Sequence, residues 1–170
     1  MMATIFLAAA EALAQDQQQT ASEEGEASKR RIVISIADRK LAVVEDGRVV
    51  KIYPTAVGAD ATPSPTGLFK IVNRVPNPTW YGPHRKIVPP GKANPLGTRW
   101  MGLSYKGYGI HGTNNQGSIG QNVSHGCIRM RKADVEQLFE IVKVGDVVEM
   151  VAEPIAGIVN QIADSADSGE

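Results

Sequence analysis

The only cysteine of the chain, Cys127, and two of its three histidines, His111 and His125, fall in one stretch. That stretch, Tyr108 to Met130, reads Y-G-I-H-G-T-N-N-Q-G-S-I-G-Q-N-V-S-H-G-C-I-R-M. A thiol attacks as the thiolate, and a free cysteine with a pKa of about 8.5 is mostly protonated at neutral pH. A nearby imidazole can take that proton and leave a reactive ion pair. The three side chains therefore suit a Cys–His acyl-transfer site with Cys127 as nucleophile. Gly126 lets a substrate backbone approach closely, and amides around Cys127 can then meet a developing oxyanion. Either histidine fits the base. His125 shares a face with Cys127 if the segment is extended, whereas His111 comes from a separate element and approaches from across the site. Zinc held by His111, His125 and Cys127 is the competing chemistry, but the chain lacks the His-Glu-x-x-His and Cys-x-x-Cys spacings that mark such centres. A lone cysteine, for its part, is more often a small buried hydrophobe than a nucleophile.

The elements that must hold these residues read mainly as strands. The runs at residues 32–36, 40–44 and 49–53 are β-branched and are broken by Asp38-Arg39 and by Glu45-Asp46-Gly47, the latter a hairpin signal. The third continues through Thr55 to Gly58. Pro63-Ser64-Pro65-Thr66-Gly67 is a turn, and Leu68 to Val75 returns to strand. Pro76 to Thr98 holds six prolines and no regular period; a loop of this length in a domain is usually functional. Trp80-Tyr81 in it either line a groove or anchor the loop, and His84 reads as a surface residue. Two further strands, residues 100–104 and 107–111, put His111 at a strand end. A Gly-rich polar run leads on to Cys127. Arg131 to Val142 is helical, with Val135, Leu138, Phe139 and Val142 on one face, and Val147 to Val151 is a last strand. A short helix is expected over residues 155–163.

With 42% hydrophobic and 21% charged residues, the 170-residue chain suits one globular domain plus tails. Eighteen basic and eighteen acidic residues cancel, which argues against a nucleic-acid or anionic-membrane binder, although Arg129-Met130-Arg131-Lys132 is a local basic cluster. Residues 1–15 read as a truncated signal peptide, with an apolar run and Ala12-Leu13-Ala14 but no charged start. They are too few to span a bilayer. Residues 16–31 are a flexible polar linker, residues 32–152 the folded domain and residues 153–170 a tail.

Ile110-His111-Gly112-Thr113, followed by Ser124-His125-Gly126-Cys127-Ile128-Arg129-Met130, resembles the signature of the L,D-transpeptidase catalytic domain (YkuD-type). Val57-Gly58, Thr62 to Phe69, Asn77 to Trp80 and Asn94 to Arg99 are similar to further segments of that family, so the resemblance runs from about Ile32 to Val151. It implies a mainly β fold, a sandwich-like mixed sheet with one main helix packed alongside. It implies that Cys127 is the nucleophile and His111 its base, oriented through the carbonyl of Gly112, since glycine offers no side chain there. His125 and Gly126 would belong to the oxyanion environment and Ser124 would support the turn. Arg129, at a position where many members carry asparagine, would hold a substrate carboxylate or brace its loop, and Trp80 and Arg99 would contact substrate. The implied substrate is the peptidoglycan stem peptide, and the implied acceptor is a stem amine, an envelope lipoprotein lysine or water. No cofactor or metal is implied, the compartment is the periplasm or cell envelope, and carbapenems would acylate the cysteine. Rivals from other classes are a catalytically silent wall-binding module and a zinc hydrolase.

Overall fold

The computed structural model describes residues 30–158. The expected signal peptide, most of the linker and the tail beyond residue 158 lie outside the described residues. Eleven strands and one main helix follow in chain order. The first four are β1 (Arg30–Ser35), β2 (Lys40–Glu45), β3 (Arg48–Gly58) and β4 (Gly67–Pro76). The short pair β5 (Trp80–Tyr81) and β6 (Ile87–Val88) comes next, then β7 (Arg99–Leu103) and β8 (Gly109–His111). The chain ends with β9 (Asn122–Ser124), β10 (Ile128–Met130), helix α1 (Lys132–Ile141) and β11 (Val147–Val151). The fold is mainly β with mixed strand directions.

Nine strands form one sheet in the order β10-β8-β7-β4-β11-β1-β2-β3-β9. The sheet turns back on itself, because β10 also pairs with β3 through Arg129↔Ala56 and Met130↔Thr55. β3 can serve both neighbours because it is eleven residues long: its first part pairs with β2 and its last residues reach β10 and β9. Its hairpin with β2 turns at Asp46 (φ 50°) and Gly47 (φ 74°), the paired left-handed residues that match strand twist.

Inside the curved sheet lies a core of Ile32, Ile34, Leu41, Val43, Met101, Ile110, Ile128 and Met150, closed by Val135, Leu138 and Phe139 of α1. The helix rests against β7. Arg74 and Arg99 both hold their guanidinium groups over the Phe139 ring, 4.2 and 5.2 Å from its centre. A smaller cluster, Val33, Ala42, Val44 and Ile155, covers the other face of β1 and β2, where residues 155–158 begin a helical turn.

Two readings shift. β1 starts at Arg30 rather than Ile32, because the backbone pairs while the charged ends reach solvent-side partners: Arg30 Nε to Glu45 Oε1 at 2.8 Å and Arg31 Nη1 to Glu149 Oε2 at 3.0 Å. The proline-rich loop contains the β5–β6 hairpin, Trp80↔Val88 and Tyr81↔Ile87. Strands of two residues leave no alternation to read.

Candidate active site

β7, β8 and β10 lie side by side, with Trp100↔His111 and His111↔Arg129 in register. Paired residues project from the same face of a sheet, and alternate residues along a strand share it. One row across the sheet is therefore Val75, Trp100, His111 and Arg129. Cys127 precedes β10 by one residue. The parallel register Ile128↔Ile110 sets it opposite Gly109, on the face of Arg129 and diagonal to His111. The intervening Met101, Ile110 and Ile128 point the other way and are fully buried in the core. Strand alternation thus brings a thiol and an imidazole, sixteen positions apart in sequence, to one surface. That surface is the floor of a cavity of about 830 Å³ lined by Cys127, His111, His125, Arg129, Trp80 and Trp100 among others.

His111 is 5% exposed. Its Nδ1 lies 2.6 Å from Gly112 O. A carbonyl only accepts, so Nδ1 carries the proton and Nε2 presents its lone pair. Burial pulls the His111 pKa down from 6.5 to about 4; the Gly112 carbonyl opposes this and Arg129 adds to it. The Cys127 thiol is half-buried and donates toward Gly107 O at 3.6 Å. Burial pushes its pKa up, against smaller pulls from the Gly109 backbone and the Arg129 guanidinium. Both shifts favour the uncharged forms, thiol and imidazole, over an ion pair. An imidazole in that state can accept a proton from a thiol that has left its contact with Gly107.

The turn carrying the cysteine is braced from two directions. Ser124 Oγ donates to Cys127 O at 2.6 Å and accepts from Gly126 N–H at 3.0 Å. Buried Ser64 donates to Gly126 O at 2.9 Å while accepting from Gly58 N–H at 2.9 Å, and Thr62 Oγ1 donates to Ser124 O at 3.0 Å. The Gly126 amide is thus committed to the turn. Gly126 sits at φ +104°, and an added Cβ would meet Tyr108 Cε1 at 2.5 Å and Pro63 O at 3.2 Å. Gly126→Ala should stay folded by circular dichroism yet acylate about a hundredfold more slowly, the scale of a misplaced reacting atom. Wild-type rates in that variant would remove the turn from the account.

Three further residues escaped the sequence reading. Trp100 stacks on the His111 ring with centroids 5.7 Å apart at 25°, and its Nε1 donates to Asn73 Oδ1 at 3.1 Å. Asn94 is fully buried and anchors the long loop: its Nδ2 reaches Pro78 O at 2.8 Å and Val88 O at 3.1 Å, while Leu96 N–H donates to its Oδ1 at 2.8 Å. Trp100→Leu should slow acylation roughly tenfold by loosening the imidazole, with substrate affinity nearly unchanged and Trp100→Phe largely restoring the rate. Equal kinetics for the Leu and wild-type proteins would show that the ring packs there without consequence.

Of the expected site residues, His125 is exposed at the cavity edge, Arg129 is half-buried within it and Trp80 lines its wall with Lys86 Nζ 5.9 Å from its ring centre. Gly112 is buried behind His111. Arg99 is not in the cavity. It neighbours Trp100 on β7, so it projects from the opposite face, onto Phe139 and toward Glu136 of α1. His84 is exposed in a 3-10 turn, Pro83–Arg85. Among the described residues, no group of three or more His, Cys, Asp or Glu side chains is placed to hold a metal ion.

Residues 29–150 match the sequence model of the YkuD family, the L,D-transpeptidase catalytic domain. The chain belongs to that family. The L,D-transpeptidase homologue YkuD of Bacillus licheniformis is 47% identical over 115 residues, 68% of this chain and 61% of its own length. Its Bacillus subtilis counterpart is 45% identical over 114 residues, 67% of this chain and 61% of its own. This chain thus spans about three-fifths of the length of those curated relatives. A solved L,D-transpeptidase from Mycobacterium smegmatis shares the fold, with TM-score 0.63 at 23% identity over 74% of this chain and 59% of that one. So does LdtMt1, solved in complex with imipenem: TM-score 0.62, 22% identity, 73% and 59% covered. In this L,D-transpeptidase domain the family match takes in the cavity with all its lining residues.

Proposed function

We propose that this domain is a cysteine-dependent peptidoglycan L,D-transpeptidase acting outside the cytoplasm. The observation that carries this reading is the diagonal placement of Cys127 beside His111, with Nε2 free to accept, on the floor of one cavity. The donor is a tetrapeptide stem, and the bond attacked is the amide after its third-position diamino acid. His111 Nε2 takes the thiol proton as Sγ bonds to the carbonyl carbon, and the Cys127 amide meets the developing oxyanion. The carbon–nitrogen bond breaks, His111 returns the proton to the leaving nitrogen, and D-alanine departs. An acceptor amine then attacks the thioester, gives its proton to His111 and leaves an amide, and the thiol is regenerated. A stem amine as acceptor gives a stem-to-stem cross-link, a lipoprotein lysine gives attachment, and water gives L,D-carboxypeptidase trimming. Arg129 holds a donor carboxylate and Trp80 lines the donor's path.

Incubation with tetrapeptide muropeptides, read by mass spectrometry, tests this. Free D-alanine together with either a dimer or a tripeptide is expected, without added metal and in the presence of chelator. Intact tetrapeptide after exhaustive incubation with folded protein would turn the reading toward a silent wall-binding module. Loss of activity on chelation would turn it toward metal hydrolysis. Among the described residues no helix is long and apolar enough to cross a membrane.

A further inference from the structure

The zero net charge of this chain conceals an uneven distribution of its acids. From Ala61 to Ala133 there is no Asp or Glu, yet ten of the eighteen Lys and Arg residues lie there. The rest of the chain holds all eighteen acids and the other eight bases, so a segment of charge +10 is balanced by −10 elsewhere. Every residue lining the catalytic cavity comes from the acid-free segment, and the lining contains two imidazoles, one guanidinium and no carboxylate. Arg129 in that cavity is half-buried and forms no ion pair among the described residues. Near the cavity stand exposed cations without an acidic partner among the described residues: Arg85 and Lys86 beside the Trp80 wall, and Lys106 next to Gly107. Among the described residues, the ion pairs use Arg30, Arg31 and Lys132, none of which lines the cavity.

A half-buried guanidinium in a cavity without carboxylates is an incomplete pair, since removing such a group from water is costly unless an anion meets it. A carboxamide has no charge to supply, whereas a carboxylate can take both forks of the guanidinium. Resting on the transpeptidase reading above, we propose that the cavity selects donor stems by charge: it takes stems whose diamino acid keeps its second carboxyl free and discriminates against the same stems amidated there. The exposed cations add a longer-range attraction for the acidic strand that carries them, and that part is screened by salt. A single guanidinium two residues from the nucleophile reads one carboxylate at a fixed place, which favours a peptide over a repeating polyphosphate.

The test is binding measured by calorimetry on Cys127→Ala, so that turnover plays no part. Two tetrapeptide stems differing only in that one carboxyl, free or amidated, are compared at low and moderate salt. The free acid should bind at least about tenfold more tightly, more weakly as salt rises, and Arg129→Gln should erase most of the preference. Equal affinity for the two stems, or a preference untouched by Arg129→Gln, overturns the proposal. So does tighter binding of a glycerol-phosphate polymer than of either stem. The reading of function is judged separately, by turnover of the same stems on wild-type protein. Discrimination in binding without turnover would sink the transpeptidase reading and leave the charge selection standing.

Discussion

Cys127→Ala will take up no carbapenem. Wild-type protein incubated with imipenem should gain the mass of one drug molecule to completion, and the variant should keep its own mass. The cavity offers other nucleophilic atoms, yet none has Cys127's combination of a polarisable sulfur, a backbone turn held by Ser124 and Ser64, and a lone pair on His111 diagonal to it. His125 is exposed and the Ser124 hydroxyl is already committed to Cys127 O. Cys127→Ser retains the geometry but replaces a thiol with a hydroxyl of far higher pKa, so it too should stay bare. An adduct on Cys127→Ala would mean that the nucleophile lies elsewhere. A wild-type protein that is folded and remains unmodified would count against an acylating enzyme altogether.

His111→Ala should acylate roughly 10² to 10⁴-fold more slowly, the usual contribution of a positioned general base, and its pH profile should change shape. In wild type His111 stays neutral until the pH nears 4, so the rate should hold through pH 6 and fall only as the imidazole takes its proton. The variant lacks a base and should instead quicken with rising pH, as thiolate forms against the burial that raises the Cys127 pKa. Stopped-flow acylation between pH 4 and 10 distinguishes the two. An acid limb near 6.5 in wild type, or fast alkylation of the thiol at pH 5, would instead indicate a resting ion pair. The same burial couples to stability. Because the folded pKa lies below the unfolded one, the unfolded chain binds the extra proton, and stability is fully present above pH 6.5 and lost as pH falls toward 4. A fall from 6.5 to about 4 corresponds to roughly 3 kcal/mol, and denaturant midpoints for His111→Ala should be flatter across that window.

Much of the fold was legible because β-branched runs and the Asp46-Gly47 turn declare the first strands without ambiguity. The His-Gly and Ser-His-Gly-Cys segments suggested thiol chemistry, and of the two histidines the structure buries His111 beside Cys127 and leaves His125 exposed. Arg99 and Arg129 show what one-dimensional reading lacks. Both lie within two residues of the site, and only the register places Trp100 on the cavity face and hence Arg99 on the helix. Ser64 and Asn94 look like ordinary loop polars, and their work is defined by carbonyls 62 residues and up to 16 residues away. The balanced charge count is silent in a different manner, because a sum over the chain discards where the charges lie.

The strand behind the nucleophile has one more implication. β10 is bonded on one edge to β8 and on the other to β3, near Thr55 and Ala56, so Cys127 sits on the seam that shuts the barrel-like sheet. Such distant pairings are costly to assemble and tend to come late in folding. Until the seam is stitched, Cys127 is an ordinary thiol with no partner base. On the proposed thiol mechanism, capture by a β-lactam probe should double as a clock for maturation: a chain still open is chemically mute, and the first labelled molecules are the first completed ones.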